Sequence, residues 1–543
     1  MKARLFLSIS LVLSMFCASG QVFDRILRGG LLYDGLGNQP QKNDIGIRGD
    51  TIAAIGDLSA ATTHDLIRVD NLAVAPGFIN MLSWADGTLL KDGRSMSDIK
   101  QGVTLEVFGE GISAGPRKRS RRSSLWTTLG GYFDHLEKQG VSPNVASFVG
   151  ATTIRTYVIG DENRAPTKVE LSQMRRLVRE AMEQGAMGVG SSLIYAPATF
   201  ASTEELISLC AEAGMHGGIY ITHMRSESDD ILIAIRETLR ISKEADLPAE
   251  IYHFKINHQR NWNKIDAVLA LVDSAQRAGL RISANMYPYV ASATGLKERI
   301  PAWAQDGGMK ELRKRIQQPA VRKRILDDMA NGVPTRNSDP TDVVIMGFKN
   351  DSFSTLYKGK RLDEVARLHG KSPDETVLDL VYAERTSIPA LYFLIDEDNM
   401  MRMMRQPYVS IGSDAGSLSL TKEFTDLGVH PRAYGTFARV LGKFVRDEKL
   451  FTLEEAIRRM TSLPASHLKL TNRGVLKVGA KADVAVFDPH LVADRATFEE
   501  PHQYAVGMVH VFVNGQQVLR DGEHTGLLPG EIVRGPGWKK PVK

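Results

Sequence analysis

Short apolar runs alternate with longer amphipathic segments between residues 76 and 470, and this alternation constrains the fold more than any other feature. The runs are VAPGFIN, VTLEVF, VASFVG, MGVGSS, GGIYIT, EIYH, RISANMY and YVSIGSD. Most of the segments between them have helical periodicity, as in KVELSQMRRLVREAMEQG and KIDAVLALVDSAQRAG. Eight strands separated by helices are typical of a parallel α/β barrel, in which the carboxyl ends of the strands meet at one mouth. A doubly wound open sheet fits less well, because no Gly-rich phosphate fingerprint follows the first run.

Both ends of the chain have a different, β-rich texture. ILRGGLLYDG and DIGIRGDTIAAIG near the start, and KADVAVFDP and YAVGMVHVFVNGQQVL near the end, are short β-type runs separated by turn residues. We expect residues 21–75 and 471–543 to pair into one small β domain, with the barrel spanning 76–470. The stretch from about 297 to 407 is too long for one connection and is predicted to be an insertion near the mouth.

The first twenty residues are predicted to be a signal peptide. A basic start is followed by an apolar core from Leu5 to Phe16 and by the small-x-small sequence Ala18-Ser19-Gly20. The core is short for a membrane span, so we expect export across the inner membrane, to the periplasm, rather than anchoring. Cleavage would leave Cys210 as the only cysteine, which excludes an internal disulfide.

The charge of the chain gives little support for a nucleic-acid partner. The formal net charge is +5, which is small for 543 residues. The densest basic run, RKRSRR from Arg117 to Arg122, lacks interleaved aromatic residues. We interpret it as a solvated loop.

Polar residues follow five of the eight predicted strands, at the ends that would meet at the barrel mouth. They are Glu110 after the second, His223 after the fifth, His253 and Lys255 after the sixth, Tyr287 after the seventh and Asp414 after the eighth. A single histidine in an apolar strand is more often a core residue, but recurrence at equivalent positions favours a site. Two imidazoles and a carboxylate suit Zn²⁺, which lowers the pKa of bound water to about 7. Asp414 would then transfer the proton from that water to a leaving nitrogen.

Eleven stretches, in order, resemble the amidohydrolase superfamily and, within it, the N-acyl-D-amino-acid deacylase (D-aminoacylase) family. They are PGFIN, QGVTLEVFGEG, ASFVGATTIR, GVGSSLIYAPATFASTEEL, YITHMRSES, IYHFK, YPYVASATGL, IGSDAGS, HPRAYGTFARVLG, FTLEEAIRRMTSLPA and GVLKVGAKADVAVFDP. The resemblance covers nearly the whole mature length. It implies a metal-dependent (β/α)₈ TIM barrel with a small β-sandwich made from both chain ends. The implied reaction is hydrolysis of the amide bond of N-acyl-D-amino acids or related small D-configured amides.

The resemblance also assigns the tight metal site. His223 and His253 match its histidine ligands, and Asp414 matches the catalytic carboxylate. The family's cysteine ligand falls in the GEG sequence of this chain, where Glu110 is our choice of replacement, although Gly111 is an alternative alignment position. A carboxylate is a competent zinc donor.

The end of the first strand departs from the family. The HxH metal-binding pair would fall on Leu82 and Trp84, and neither residue can coordinate a cation. We therefore predict one zinc ion per chain, with Trp84 filling the space of the missing metal and shaping the acyl pocket. Two alternatives stay open. One is a cyclic-amide hydrolase of the dihydroorotase or hydantoinase kind, and the other is a metal-free descendant that binds ligands without cleaving them.

The expected substrate is a small N-acyl amino acid. By resemblance, Lys255, Tyr287 and Arg432 would hold its α-carboxylate, and a planar guanidinium can grip a carboxylate through two hydrogen bonds. Tyr195, after the fourth strand, is predicted to be a pocket wall or an oxyanion donor. Stereochemical preference follows from the resemblance alone.

Overall fold

A computed structural model of the chain describes residues 22–119, 125–332, 338–426 and 428–540. The predicted signal peptide lies outside the described residues, as does the part of the basic run beyond Arg119. In these ranges, no helix has the length and apolar character required to cross a membrane.

The described residues form strands in three settings: the two chain ends, the central α/β region and the insertion. From β1 to β21 they are Val22–Leu32, Gln41–Arg48, Thr51–Gly56, Thr62–Arg68, Ala73–Pro76, Phe78–Asn80, Val103–Phe108, Asn144–Ser147, Val149–Gly150, Gly188–Ser192, Ile219–His223, Ala249–Ile251, Ile282–Met286, Ser292–Gly295, Val343–Ile345, Pro389–Tyr392, Val409–Ile411, Val484–Phe487, Met508–Val513, Gln516–Arg520 and Glu523–His524.

The α-helices lie almost entirely between the fifth and eighteenth strands. From α1 to α17 they are Met96–Ile99, Leu129–Gln139, Ala151–Val158, Lys168–Glu183, Thr203–Gly214, Ile231–Glu244, Ile265–Arg277, Gly308–Gln317, Pro319–Ala330, Asp351–Tyr357, Leu362–His369, Pro373–Ala383, Glu397–Met404, Lys422–Thr425, Arg432–Arg439, Leu453–Met460 and Ser462–His467. A π-helical segment, Val440–Asp447, continues α15.

The central region contains two parallel sheets. One has the order β6-β7-β8, and the other has the order β9-β10-β11-β12-β13-β17. A single residue, Phe148, separates β8 from β9, and its N–H donates to the carbonyl of Phe108 at 2.8 Å. Every residue of β7, β10, β11 and β13 is buried, as expected for parallel strands covered on both faces.

Helix α4 illustrates how the connections cover these strands. It begins with a capping box in which Thr167 and Glu170 satisfy each other's backbone N–H groups. Its apolar side chains recur at helical spacing and are buried: Met174, Leu177, Val178, Ala181 and Met182. This pattern packs one face of the helix towards the strands.

The register of the parallel strands brings their carboxyl ends to one edge. Ser192 is opposite His223 in the pairing of β10 with β11, and β12 ends two residues before His253. An isolated parallel bridge between Ser83 and Ala415 joins the chain after β6 to the chain after β17. Polar residues that follow different strands are therefore neighbours in space.

The two ends of the chain meet in one nine-stranded sheet. Its order is β21-β20-β19-β18-β5-β1-β2-β3, with β4 paired to β1. The junction between the ends is the antiparallel pair β5 and β18, in which Ala75 is opposite Ala485.

The predicted insertion contains its own small sheet and its own apolar core. Strands β14, β15 and β16 are antiparallel, in the order β14-β16-β15. Residues such as Leu296, Leu312 and Val377 form a hydrophobic cluster distinct from that of the central region.

Candidate active site

A cavity of about 1160 Å³ lies at the carboxyl ends of the parallel strands. Seven of the eight site residues predicted from the sequence line it: Glu110, Tyr195, His223, His253, Lys255, Asp414 and Arg432. The eighth, Tyr287, is fully buried behind the wall, with its ring centroid 4.5 Å from Cζ of Arg432 and 5.7 Å from Nζ of Lys255. The predicted residues are therefore brought together.

Glu110, His223 and His253 form the candidate metal site. Oε1 of Glu110 lies 3.0 Å from Nδ1 of His223 and 3.1 Å from Nε2 of His253. All three side chains are buried, and one ligand atom from each lies within 4.8 Å of the other two. The two imidazole nitrogens and the carboxylate oxygen that are hydrogen-bonded here are all ligand atoms that Zn²⁺ accepts, so the residues fit the metal. In the described part of the chain, no other group of three His, Cys, Asp or Glu side chains meets this spacing.

The electrostatics of the triad also suit a cation. Burial opposes ionisation of Glu110, but the hydrogen bonds from His223 and His253 outweigh it and lower the pKa of this carboxyl to about 2. Burial and the nearby Lys255 lower the pKa of His253. The opposing effect of Glu227 and Glu110 is larger, so the pKa is raised overall, to about 9. A metal-free His253 is thus protonated at neutral pH, and binding a metal there releases a proton.

Glu227 is a member of the site that the sequence reasoning missed. Its Oε1 lies 2.8 Å from Nδ1 of His253 and its Oε2 lies 3.7 Å from Nε2 of His223, so it faces the ring nitrogens that point away from Glu110. Burial raises the pKa of Glu227, but Lys255 and the two histidines outweigh burial and hold the pKa well below its ordinary value. Carboxylates in this position orient metal-binding histidines. The signal in the sequence was its spacing of four residues from His223 in HMRSE.

Lys255 is bound within the same network. Its Nζ lies 2.6 Å from Oε1 of Glu227 and 2.8 Å from Nδ1 of His253. Nδ1 of His253 carries a proton both in the protonated, metal-free ring and when Nε2 binds a metal, so in neither state does it accept from Lys255. One N–H of Lys255 is then available to an anionic ligand in the cavity.

Asp414 lines the same cavity, three residues after the end of the last parallel strand. Its backbone has a positive φ of 51°, and its N–H donates to the carbonyl of Leu82 at 2.8 Å. Each carboxylate oxygen has one partner. Oδ1 accepts from the indole N–H of Trp84 at 3.0 Å, and Oδ2 lies 2.8 Å from Nη2 of Arg432.

Arg432 and Tyr287 present hydrogen-bond donors that the protein does not use. Arg432 begins helix α15 and is 4% exposed. Within the described ranges, its Nε and Nη1 and the Tyr287 hydroxyl have no hydrogen-bond partner. Unsatisfied buried donors cost free energy, so the free nitrogens of Arg432, which lines the cavity, are candidates for contact with an anionic ligand.

Tyr195 connects the site to the insertion. Its hydroxyl accepts from Oγ1 of Thr294 in β14 at 3.1 Å, and its ring centroid is 5.2 Å from that of His223. This position lies beside the candidate metal site and is consistent with either predicted role.

The end of the first parallel strand is apolar and neutral where the family has metal ligands. Leu82 is 1% exposed in a hydrophobic cluster. The Ser83 hydroxyl donates to Oε2 of the buried Glu106 at 2.7 Å, and Ser95 donates to Oε1. Burial and the nearby Asp98 raise the pKa of Glu106 to about 8. Both carboxyl oxygens of Glu106 are thus hydrogen-bonded within the protein, and Glu106 is not among the residues that line the cavity.

Comparison with known proteins is consistent with this geometry. Residues 70–519 match the family described as the amidohydrolase family. The D-aminoacylase of Alcaligenes xylosoxydans xylosoxydans is 37% identical over 95% of this chain and 98% of that protein. A D-aminoacylase structure, described as having a binuclear metal centre, is 35% identical with a TM-score of 0.79, over 94% of this chain and all of that one. The N-acyl-D-glutamate deacylase of Bordetella bronchiseptica, solved with zinc and a phosphonate inhibitor, is 30% identical with a TM-score of 0.78, over 95% of this chain and all of that one.

Proposed function

Since this chain belongs to the amidohydrolase family, we propose that it is a metal-dependent hydrolase that cleaves the amide bond of N-acyl-D-amino acids or related small D-configured amides. The observation that carries the proposal is the convergence of Glu110, His223 and His253 in one cavity that Asp414 also lines. The preference for the D configuration rests on the similar proteins, which include a D-aminoacylase and an N-acyl-D-glutamate deacylase.

We propose one zinc ion per chain, held by Glu110, His223 and His253. Zinc is supported by the nitrogen and oxygen donor set and by the zinc in the Bordetella deacylase. A single ion is supported by the side chains of Leu82 and Trp84, neither of which has an atom that can coordinate a metal. When bound, the metal supplies Lewis-acid polarisation of the amide carbonyl and lowers the pKa of a water to about 7.

The other residues of the cavity bind the substrate and move the proton. Asp414 takes a proton from the attacking water and returns it to the leaving amide nitrogen. Arg432, with the Tyr287 hydroxyl and Lys255, binds the α-carboxylate and so fixes the scissile bond relative to Asp414. Tyr195 lines the acyl side and donates to the developing oxyanion.

We also propose a finer description of the fold. The order of the parallel strands and the bridge between Ser83 and Ala415 support a closed (β/α)₈ barrel, in which Phe148 interrupts the third strand. The proposed domains are the barrel over 76–470 with its insertion at about 297–407, and a β-sandwich from 21–75 and 471–543. In this proposal, residues 1–20 are a signal peptide that directs export to the periplasm and is then removed.

The test is hydrolysis by the purified chain from residue 21, loaded with zinc, with N-acetyl-D- and N-acetyl-L-amino acids supplied in parallel. We expect turnover of D substrates, little turnover of L substrates, and about one zinc per chain. The control is Asp414→Asn, which should retain zinc and lose turnover. Turnover by metal-replete Asp414→Asn at the wild-type rate would reject the mechanism.

Two other outcomes would favour the alternative functions. Hydrolysis of hydantoin or dihydroorotate, with no activity on acylated amino acids, would identify a cyclic-amide hydrolase. No zinc binding and no turnover would favour a ligand-binding protein, which the loss of the first-strand ligands would explain directly.

A further inference from the structure

We propose that Trp84 is a positioning residue for Asp414, and that its neutral indole N–H fixes the carboxylate from the place where the family pattern has a metal-binding histidine. The contact is the 3.0 Å hydrogen bond from Nε1 of Trp84 to Oδ1 of Asp414. The inference rests on the catalytic role proposed above for Asp414.

The backbone around this contact holds the two side chains as one unit. The Trp84 N–H donates to the carbonyl of Ala415 at 2.9 Å, and the Asp414 N–H donates to the carbonyl of Leu82 at 2.8 Å. Two backbone hydrogen bonds thus join residues 82–84 to residues 414–415, next to the indole and the carboxylate. Movement of one segment relative to the other would break these two backbone bonds as well as the side-chain bond.

Trp84 and Arg432 hold different oxygens of Asp414 and have different second tasks. Arg432 contacts Oδ2 and has two further nitrogens, Nε and Nη1, with no protein acceptor in the described ranges, so a bound carboxylate would draw on the same guanidinium. The indole of Trp84 has one donor, and Asp414 already accepts it. Trp84 is therefore the contact that stays constant when substrate binds.

A neutral donor also suits the chemistry of a proton-transfer carboxylate. An indole N–H orients the carboxylate without adding a positive charge beside it. The second oxygen can then exchange between Arg432 and the water whose proton Asp414 takes. A hydrogen bond to a charged group is stronger than one between neutral groups, so this single bond is sufficient to select one orientation.

The first experiment compares Trp84→Phe with Trp303→Phe in the zinc-loaded enzyme. Trp303 is a matched control, because its indole also donates to an aspartate, Oδ2 of Asp328 at 2.8 Å, but in the insertion and away from the cavity lining. We expect kcat of Trp84→Phe to fall about tenfold or more with KM changed by less than about twofold, and Trp303→Phe to keep both constants. Unchanged kcat in Trp84→Phe, or equal losses in the two variants, would overturn the inference.

The second experiment detects the contact without using activity. The chain has five tryptophans, so ¹⁵N labelling gives up to five indole N–H signals, and the Trp84 signal is the one missing in Trp84→Phe. We expect Asp414→Asn to shift this signal and to leave the Trp303 signal in place. Absence of that shift rejects the inference even in an active enzyme. If Asp414→Asn shifts the Trp84 signal but the wild-type protein hydrolyses no substrate, the contact exists and the proposed function is rejected, together with the catalytic role of the contact.

Discussion

Two groups of strand ends meet at the cavity, and their side chains differ in chemistry. On one side, the ends of β7, β11 and the chain after β12 supply Glu110, His223 and His253, with Glu227 behind the histidines. On the other side, the chain after β6 supplies Trp84, which lines the cavity and contributes a neutral donor, whereas Leu82 is buried in a hydrophobic cluster and does not line it. Both sides occupy the same mouth. One group contains the candidate metal ligands, and in the other Asp414 is held by the neutral indole of Trp84 and by Arg432.

Under the proposed function, this difference explains how a chain without the first-strand histidines can still have a complete reaction site. A single catalytic metal typically has three protein ligands and an open position, and Glu110, His223 and His253 are the three ligands proposed. The remaining requirement is a fixed carboxylate, and Asp414 already has a donor on each oxygen. The two requirements are met by separate residues, so variants can change one side while the other serves as a reference.

The largest effect is expected from His253→Ala, which removes a ligand from the cation side. Zinc affinity should fall by more than the 10- to 100-fold typical of losing an outer partner, and turnover should fall with it. Elemental analysis after dialysis and kcat/KM measure the two effects. His216→Ala is the control, because that histidine lies outside the cavity lining. Full zinc content in His253→Ala would place the metal elsewhere.

Glu227→Gln tests the support behind the cation side. The amide keeps the size of the side chain but removes the charge that faces both histidines and Lys255. We expect zinc to bind about 10- to 100-fold more weakly, measured by competition with a chelator. Glu237→Gln is the matched control, since Glu237 pairs with Arg225 at 2.9 Å away from the cavity. Equal affinities in the two variants would contradict a supporting role for Glu227.

The double variant Leu82→His/Trp84→His would convert the neutral side into a second cation side. We expect a second, weaker zinc equivalent, because the family pattern has its two metal-binding histidines at these positions. Isothermal titration calorimetry with zinc measures the stoichiometry. The double variant Leu82→Met/Trp84→Phe controls for repacking around the buried Leu82. One zinc in both double variants would mean that the first strand end does not face the metal site as the family pattern implies.

The strands of the central region were predictable because burial leaves a direct mark on the sequence. Each of the eight apolar runs overlaps at least one of the parallel strands, and most of the polar residues that follow them line one cavity. Glu227 was not predicted, since a glutamate in the polar stretch RSES also fits an exposed loop. The bond between Trp84 and Asp414 joins residues 330 positions apart. No local pattern reports such a contact, which depends on how the first and last parallel strands meet.

The smallest effect concerns Glu106, the buried carboxyl below the neutral side. Burial and Asp98 raise its pKa from 4.5 to about 8, against the opposing hydrogen bonds from Ser83 and Ser95. The folded protein therefore holds this proton more tightly than the unfolded chain does. The resulting stability is complete below about pH 4.5 and is lost as the pH rises through 8.

Glu106→Gln keeps a neutral side chain at every pH and should remove this part of the pH dependence. Between pH 5 and 8 we expect the wild type to lose about 1 to 3 kcal/mol more unfolding free energy than the variant. Urea unfolding of the metal-free proteins measures the difference, because zinc release then contributes nothing. Glu183→Gln is the control, since the hydrogen bond from Lys539 lowers the pKa of Glu183 and moves its titration below this window. Parallel stability curves for wild type and Glu106→Gln would mean that Glu106 is ionised in the folded protein across this range. The neutral side of the cavity would then rest on a buried charge.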